Sequence, residues 1–342
     1  MYFRWRLCKH WPCSVVKMLG LLSARGKVKV NILITGGTGL IGRALCKYWR
    51  KIKQPEGMVR HAAQNHIWVL SREPEKVSKL CGKKVVGIGS LKELDGQNIQ
   101  VVINLAGAPI ADKAWTDKRK IQLEDSRVLF THRLVAWMGT LPTPPRVFIS
   151  GSAMGYYGDC GDEVIDDYLN KPQQDFASQL CHKWEVEAFQ ALLSDIRIVC
   201  LRTGIVLACE GGFLSRVLPV FKMGLGGALG SGKQWMPWIH LNDVVRMIDF
   251  FVQTWETAGS YNVCAPEPVT NKQFTKAMAR AVRRPALFKV PVWALDRKYG
   301  KELTDMILSS QRAVPKRVLE AGFQFEFPDL DDALDDLLSS RG

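Results

Sequence analysis

Short apolar runs alternate with longer amphipathic stretches from residue 28 to about residue 207. Val30-Asn31-Ile32-Leu33-Ile34 is rich in strand formers, and a helical pattern over residues 40–49 follows it. Ile67-Trp68-Val69-Leu70 predicts a second strand, Val85 to Ile88 a short third, and Ile99-Gln100-Val101-Val102-Ile103-Asn104-Leu105 a fourth. Residues 117–138 predict a long helix, with Ile121, Val128, Leu134 and Val135 suited to its apolar face. Arg146-Val147-Phe148-Ile149-Ser150-Gly151-Ser152 is a fifth strand with serines at its carboxyl end, residues 176–193 another helix, and Ile196-Arg197-Ile198-Val199-Cys200-Leu201 a sixth strand. Strands alternating with helices in this way predict an α/β fold, a doubly wound parallel sheet with ligands outside the strand carboxyl ends.

The pattern changes after residue 207. Gly224-Leu225-Gly226-Gly227-Ala228-Leu229-Gly230-Ser231-Gly232 is flexible and glycine-rich, and it leads into Trp235-Met236-Pro237-Trp238-Ile239-His240-Leu241-Asn242-Asp243. Helical stretches are expected over residues 271–283, 293–308 and 330–338. The chain therefore divides into a basic tail (1–27), a Rossmann-type nucleotide-binding domain (28–207) and a smaller mixed C-terminal region (208–342). That last region caps the open face of the sheet, forms a substrate pocket, and returns some sheet contribution to the core. The polar stretch near residues 51–65 reads as a surface insertion.

Chemistry enters at the first turn. Gly36, Gly39 and Gly42 are spaced G-x-x-G-x-x-G between a strand and a helix. The first glycine permits a tight turn, the second lets backbone approach a pyrophosphate, and the third lets helix pack on strand. The helix N-terminus then offers free N–H groups to the phosphates. The second strand ends in Ser71-Arg72, where the adenosine ribose lies in such folds. A hydroxyl and a guanidinium suit a 2′-phosphate, where an acidic residue would suit the hydroxyl of NAD, so NADP(H) is expected ahead of NAD(H). Leu105-Ala106-Gly107 is a small-residue turn that lets backbone run beneath a cofactor.

Composition alters this picture little. The chain of 342 residues is 47% hydrophobic and 23% charged, ordinary for a globular protein. Its net charge of +14 raises nucleic acid as a partner. Half of that excess sits in Arg4, Arg6, Lys9, Lys17, Arg25, Lys27 and Lys29, however, and the rest is spread along the chain. The expected partner is a small-molecule substrate, with no nucleic acid and no stable membrane insertion, in a monomer or homodimer. Nine scattered cysteines without a C-x-x-C pair argue against a disulfide framework and a zinc site. They point to a reducing compartment and hence the cytoplasm, with organelle targeting by the basic tail left open.

Six segments, in order, carry a family resemblance. They are Ile34-Thr35-Gly36-Gly37-Thr38-Gly39-Leu40-Ile41-Gly42, Asn104-Leu105-Ala106-Gly107 and Ser150-Gly151-Ser152-Ala153-Met154-Gly155-Tyr156-Tyr157-Gly158, then Leu201-Arg202-Thr203-Gly204-Ile205-Val206-Leu207, the stretch 224–232 and Gln311-Arg312-Ala313-Val314-Pro315-Lys316-Arg317. Together they resemble the extended short-chain dehydrogenase/reductase superfamily of NDP-sugar epimerases and dehydratases. Within it, the chain is most similar to an atypical branch of bacterial epimerase family proteins, with relatives labelled cell-division inhibitor homologues. The resemblance implies that Thr38, Gly39, Leu40 and Ile41 line the pyrophosphate and that Ser71 and Arg72 take the 2′-phosphate. It also places Leu105 and Ala106 by the adenine–ribose side, Gln122 and Arg127 within reach of the cofactor, and Val206 by the nicotinamide.

The superfamily's proton relay is where this chain departs. A Ser/Thr at the end of the fifth strand normally works with the tyrosine and lysine of a Y-x-x-x-K helix, the lysine lowering the tyrosine pKa. Ser152 matches the serine. Registered on Glu185, the helix has Ala177 for the tyrosine and Cys181 for the lysine, and neither can do that work. Tyr156 and Tyr157 follow Ser152 closely enough to substitute as phenolic acids, while Cys181 reads as a buried thiol and His240 with Asp243 as a pocket wall. Two functions therefore compete: an NADP(H)-dependent oxidoreductase or epimerase-like enzyme on a small polar substrate, with Ser152, Tyr156 and Tyr157 as its catalytic candidates, and a catalytically inactive NADPH-binding sensor or regulator.

Overall fold

A computed structural model describes residues 30–51 and 66–339, so the basic tail and almost all of the expected insertion lie outside the described residues. Seven parallel strands form the central sheet: β1 (Asn31–Thr35), β2 (His66–Leu70), β3 (Val85–Ile88), β4 (Val101–Asn104), β5 (Val147–Ala153), β6 (Arg197–Thr203) and β7 (Gly259–Val263). Their order is β7-β6-β5-β4-β1-β2-β3, doubly wound about β1. The reversal point between β1 and β4 is where such sheets open a ligand crevice at their carboxyl ends.

Helices cover both faces, which is why the strands are apolar on both sides. The helices in chain order are α1 (Leu40–Lys51), α2 (Val77–Cys81), α3 (Asp117–Glu124), α4 (Phe130–Gly139), α5 (Phe176–Phe189), α6 (Gly212–Lys222), α7 (Leu241–Gln253), α8 (Asn271–Ala281), α9 (Val292–Tyr299), α10 (Lys301–Leu308), α11 (Lys316–Glu320) and α12 (Leu330–Ser339). On one face, Leu45 and Trp49 of α1 pack with Val245, Ile248 and Phe251 of α7 against Ile32, Ile34 and Ile103. On the other, Leu134 and Met138 of α4 and Ala188 of α5 pack against Leu33, Val102 and Phe148. A third apolar cluster joins α6, α8 and α12 through Leu214, Phe221, Phe274, Met278 and Leu334.

Three elements differ from the sequence pattern. The helix expected over residues 117–138 is interrupted by a π turn at Asp125–Leu129. The helix expected over 293–308 breaks at Gly300, whose φ of 80° lies in the left-handed region that glycine tolerates. Gly259–Val263 carries no strand signal of its own because Ser260 and Asn262 interrupt it, yet it pairs with β6 along its length. Their polar side chains turn into a buried hydrogen-bond network with Glu185 and Tyr157.

The His240–Asp243 segment is an anchor between regions. His240 Nδ1 accepts from the Asn242 backbone N–H at 3.1 Å, and its ring lies 4.0 Å from that of Phe327. Its Nε2 faces Asp336 of α12 at 3.3 Å. The Asp243 carboxylate accepts the Glu326 and Phe327 backbone N–H groups and an Arg246 guanidinium bond. Burial pushes the His240 imidazole below its usual 6.5, against the opposing pull of Asp336 and Asp243. The unfolded chain then takes up a proton that the folded chain resists, so stability is lost as pH falls through 6.5. Denaturant midpoints should fall between about pH 7 and about pH 5, and His240→Gln should flatten that dependence. An unchanged pH profile in the variant would show that His240 does not carry it.

Candidate cofactor and active site

The cofactor crevice is built from backbone. Thr35 closes β1, Gly36 turns at φ 68°, and α1 begins at Leu40. A Cβ on Gly36 would lie 2.5 Å from the Leu105 carbonyl carbon and 2.7 Å from the Ala106 nitrogen, so the glycine-rich loop and the turn after β4 touch main chain to main chain. A Cβ on Gly42 would lie 2.5 Å from the Gly37 Cα, which sets how closely helix meets loop. Gly39 is exposed, and its nearest neighbour to an added Cβ is the Gly36 carbonyl at 3.1 Å. The first turn of α1 contains no acidic residue, so its positive end is left for an anion.

A third wall comes from the segment after β6. Ile205–Leu207 pairs in parallel with Trp238–His240, placing Val206 opposite Ile239. Gly211 and Gly212 then pass the Leu40 side chain, an added Cβ lying 3.5 and 3.3 Å from its methyl carbons. Gly36, Thr38, Gly39, Leu40, Ile41, Gly42, Leu105, Ala106 and Val206 thus converge at the strand carboxyl ends. Below them Asn104, which the sequence pattern did not single out, ties the two walls. Thr35 Oγ1 donates to its Oδ1 at 2.6 Å, the Ala106 N–H reaches that same oxygen at 3.3 Å, and its Nδ2 donates to Thr131 at 2.8 Å.

At the rim, Ser71 Oγ accepts from the Glu73 N–H at 3.1 Å, while Arg72 is exposed with no ion pair among the described residues. Gln122 Oε1 accepts from Arg119 on the solvent side of α3. Arg127 lies in the π turn, donates to the Ala108 carbonyl at 2.9 Å, and sits 5.4 Å from the Trp184 ring. It therefore braces the turn after β4, and an added Cβ on Gly107 would be 3.1 Å from its guanidinium carbon.

The other end of the crevice is a buried ionic network. Arg202 of β6 and Glu185 of α5 form a two-pronged pair, Nε–Oε1 2.8 Å and Nη2–Oε2 2.9 Å, at 2% and 4% exposure. Ser152 Oγ donates to Glu185 Oε1 at 2.7 Å, and Ser260 Oγ to Oε2 at 2.8 Å. Arg202 Nη1 donates to the Tyr157 hydroxyl at 2.9 Å, which donates in turn to Asn262 Oδ1 at 2.7 Å. The Tyr156 hydroxyl donates to Asn170, and the Arg202 guanidinium lies 3.6 Å from the centre of its ring. Burial pushes both phenols above their usual range, most strongly Tyr157, despite the opposing Arg202 charge. Cys181 is likewise pushed up to about 12 by burial and the Glu185 charge, which keeps it a neutral thiol.

This geometry has counterparts among known proteins. A family model described as the NAD dependent epimerase/dehydratase family matches residues 32–264. The chain belongs to that family. A domain of unknown function, DUF1731, matches residues 290–337. An epimerase family protein of Mycobacterium bovis is 35% identical over 89% of this chain and 96% of its own. The chloroplastic epimerase family protein of Arabidopsis thaliana is 33% identical over 93% of this chain and 89% of its own. The structure of the human epimerase family protein SDR39U1 with NADPH superposes with a TM-score of 0.78 at 27% identity, covering 91% of this chain and 99% of that one. These relatives place the chain on the atypical epimerase-family-protein branch.

For a member of this family the departure at α5 has a structural reason. Ala177 and Cys181 face Gly155, an added Cβ there lying 3.5 Å from Ala177 Cβ and 3.8 Å from Cys181 Sγ, so the expected tyrosine and lysine positions do point at the turn after β5. Arg202 supplies the local cation instead, but Glu185 holds it in place. Sequence reasoning passed over Arg202 in a functional sense and used Glu185 only as a register mark. The available signal was a charge within a strand buried on both faces.

Removing one partner of such a pair strands the other. Glu185→Gln should cost about 3–5 kcal/mol of folding stability, while Ser152→Ala, which deletes one of several bonds to the carboxylate, should cost about 1 kcal/mol. Urea unfolding of the two variants checks this, and equal small losses would show that the pair is not what holds the network.

Proposed function

We propose that this protein binds NADPH in the backbone crevice and does not run the tyrosine–lysine proton relay of its superfamily. The supporting observation for the cofactor is the three-walled crevice, in which a Cβ at Gly36 would collide with main chain and the free end of α1 faces the phosphate position. Thr38, Gly39, Leu40 and Ile41 hold the pyrophosphate, Ser71 and the exposed Arg72 the 2′-phosphate, and Leu105 and Ala106 the adenosine side. Val206 adjoins the nicotinamide, and Gln122 and Arg127 support the rim. That the human relative's structure was solved with NADPH supports the choice of cofactor. A reduced nicotinamide supplies a hydride when bound.

Two readings of the bound state then compete. An NADPH-binding regulatory protein is favoured by the buried network: Ser152, Tyr156 and Tyr157 all spend their hydroxyl protons on Glu185, Asn170 and Asn262. An oxidoreductase or epimerase-like enzyme on a small polar substrate is favoured by Ser152 at the carboxyl end of β5 and by the half-buried Gly227–Leu229 strand in the capping region. In that case the Ser152 hydroxyl must leave Glu185 to polarise a substrate oxygen, and the raised phenols act as hydrogen-bond donors or acids, never as resident phenolates. A cytoplasmic location in a monomer or homodimer belongs to the same proposal. The Arabidopsis relative is chloroplastic, so imaging the tagged full-length chain is a direct test, and an organelle signal would remove the cytoplasmic assignment.

Titration of the purified protein with NADPH and NADH, followed by a panel of carbonyl compounds and NDP-sugars, separates the readings. NADPH should bind at least tenfold more tightly, and Arg72→Ala should erase most of that preference, the loss of a charged hydrogen bond worth about 1.5–3 kcal/mol. Equal affinity for both cofactors would refute the 2′-phosphate assignment. Cofactor oxidation with any member of the panel supports the enzyme, and tight binding without turnover supports the regulator.

A further inference from the structure

The outer edge of the capping region carries large apolar side chains in water. α6 ends at Lys222, and Met223 and Leu225 follow it into the glycine-rich segment. The strand Gly227–Leu229 then pairs in parallel with Phe288–Val290, Gly227 opposite Phe288. Two close approaches join these pieces into one ledge. A Cβ on Gly224 would lie 3.9 Å from ring carbons of Pro285, and one on Gly230 would lie 3.5 Å from a Val292 methyl carbon at the start of α9. Met223, Leu225, Leu287, Phe288, Val292 and Trp293 are all exposed along it, Leu287 at 86%, Trp293 at 70% and Met223 at 65%.

Single exposed apolar residues are ordinary on a protein surface, but a contiguous patch marks a surface that something covers. The shape of the ledge narrows what that is. Phe288 and Lys289 leave opposite faces of their strand, and both are exposed, so the ribbon stands out from the domain as a ridge. A bound peptide needs a groove or a length of free strand edge, and this ridge offers it three strand residues. A broad, soft surface fits it better.

Charge decides the chemistry of that surface. Residues 283–298 carry Arg283, Arg284, Lys289, Arg297 and Lys298 against one acid, Asp296, and Lys222 adds a sixth cation from the end of α6. All six cations are exposed while Asp296 is half-buried, and none of the six has an acidic partner among the described residues. A second copy of the chain docked about a two-fold axis would set this charge against itself. The ledge is complementary to a surface that is apolar within and negative at its face.

We propose that this ledge docks the protein on an anionic lipid surface, with Leu287, Phe288 and Trp293 entering the headgroup layer and the surrounding cations facing lipid phosphates. Apolar side chains that lie in this layer reach about 5–10 Å into it. Tryptophan suits the boundary because its ring is apolar and its indole N–H stays at the wet side. The cations add an attraction that fades within a Debye length, roughly 10 Å in 0.1 M salt. The contact is peripheral, since no described helix is long and apolar enough to cross a membrane. It does not depend on cofactor binding, because the ledge shares no residue with the cofactor crevice.

The test pellets the full chain with vesicles of phosphatidylcholine alone or of phosphatidylcholine mixed with phosphatidylglycerol. The expected result is about fivefold more protein on the anionic vesicles, most of it released by salt well above the physiological level. Leu287→Ser and, separately, Arg284→Glu should each lower binding several-fold with the urea midpoint unchanged, because both side chains are exposed. Dibrominated phosphatidylcholine in the anionic vesicles should quench tryptophan fluorescence. Trp293→Phe, which keeps an apolar ring, should retain pelleting and lose most of that quenching. Equal pelleting with both vesicle types, or none, overturns the proposal. Quenching that survives in Trp293→Phe also overturns it, since the contact is then on another face. If light scattering shows instead a dimer that Leu287→Ser dissolves, the ledge is a protein–protein surface and the lipid assignment falls.

Discussion

A carboxylate and a guanidinium buried together between α5 and β6 constrain everything at the catalytic end of this sheet. Taking Glu185 and Arg202 out of water costs several kcal/mol per ion, and only a saturated set of hydrogen bonds offsets it. Ser152 of β5, Ser260 of β7, Tyr157 and the Leu169 carbonyl supply that set. Three strands, a helix, and the turn that carries both tyrosines are therefore satisfied jointly or not at all. The hydroxyl groups that chemistry would want are the ones the ion pair needs.

The cofactor end obeys a different rule. There the walls meet as bare backbone, Gly36 against Leu105 and Ala106, and specificity for an anion comes from a helix end without competing carboxylates. Asn104 links the two regimes, since its amide holds the turn under the cofactor on one side and Thr131 on the other, and Thr131 accepts from Trp184 of α5 at 2.9 Å. A change at α5 thus has a short route of hydrogen bonds to the crevice floor.

Much of this could be read from the residues alone. The six predicted strands were legible because each apolar run is bounded by glycine, proline or polar residues, and their ends fall within two residues of those observed. The converging glycines and the turn after β4 were legible because backbone contact leaves a composition trace. Arg202 was not, since a single charge in a strand reads as a solvent-facing position unless the strand is already known to be covered on both faces. Gly259–Val263 was hidden for a related reason: its polar residues serve the ion pair, so alternation fails where the network is served. The commitment of Ser152, Tyr156 and Tyr157 to internal partners lies in angles and distances that spacing does not encode.

The π turn at Asp125–Leu129 also lets one helical span serve two tasks. A π turn holds one residue more than the α-helical turn it replaces, and each residue advances a helix by about 100°. The extra residue uncouples the phase of α3 from that of α4. It lets Leu134 and Met138 face the sheet while Arg127 swings to the Ala108 carbonyl and the Trp184 ring. Deleting one residue within this span should restore a continuous helix, in which only one of those two alignments survives. The length of this span, as much as its composition, is what keeps a guanidinium beside the crevice in this chain.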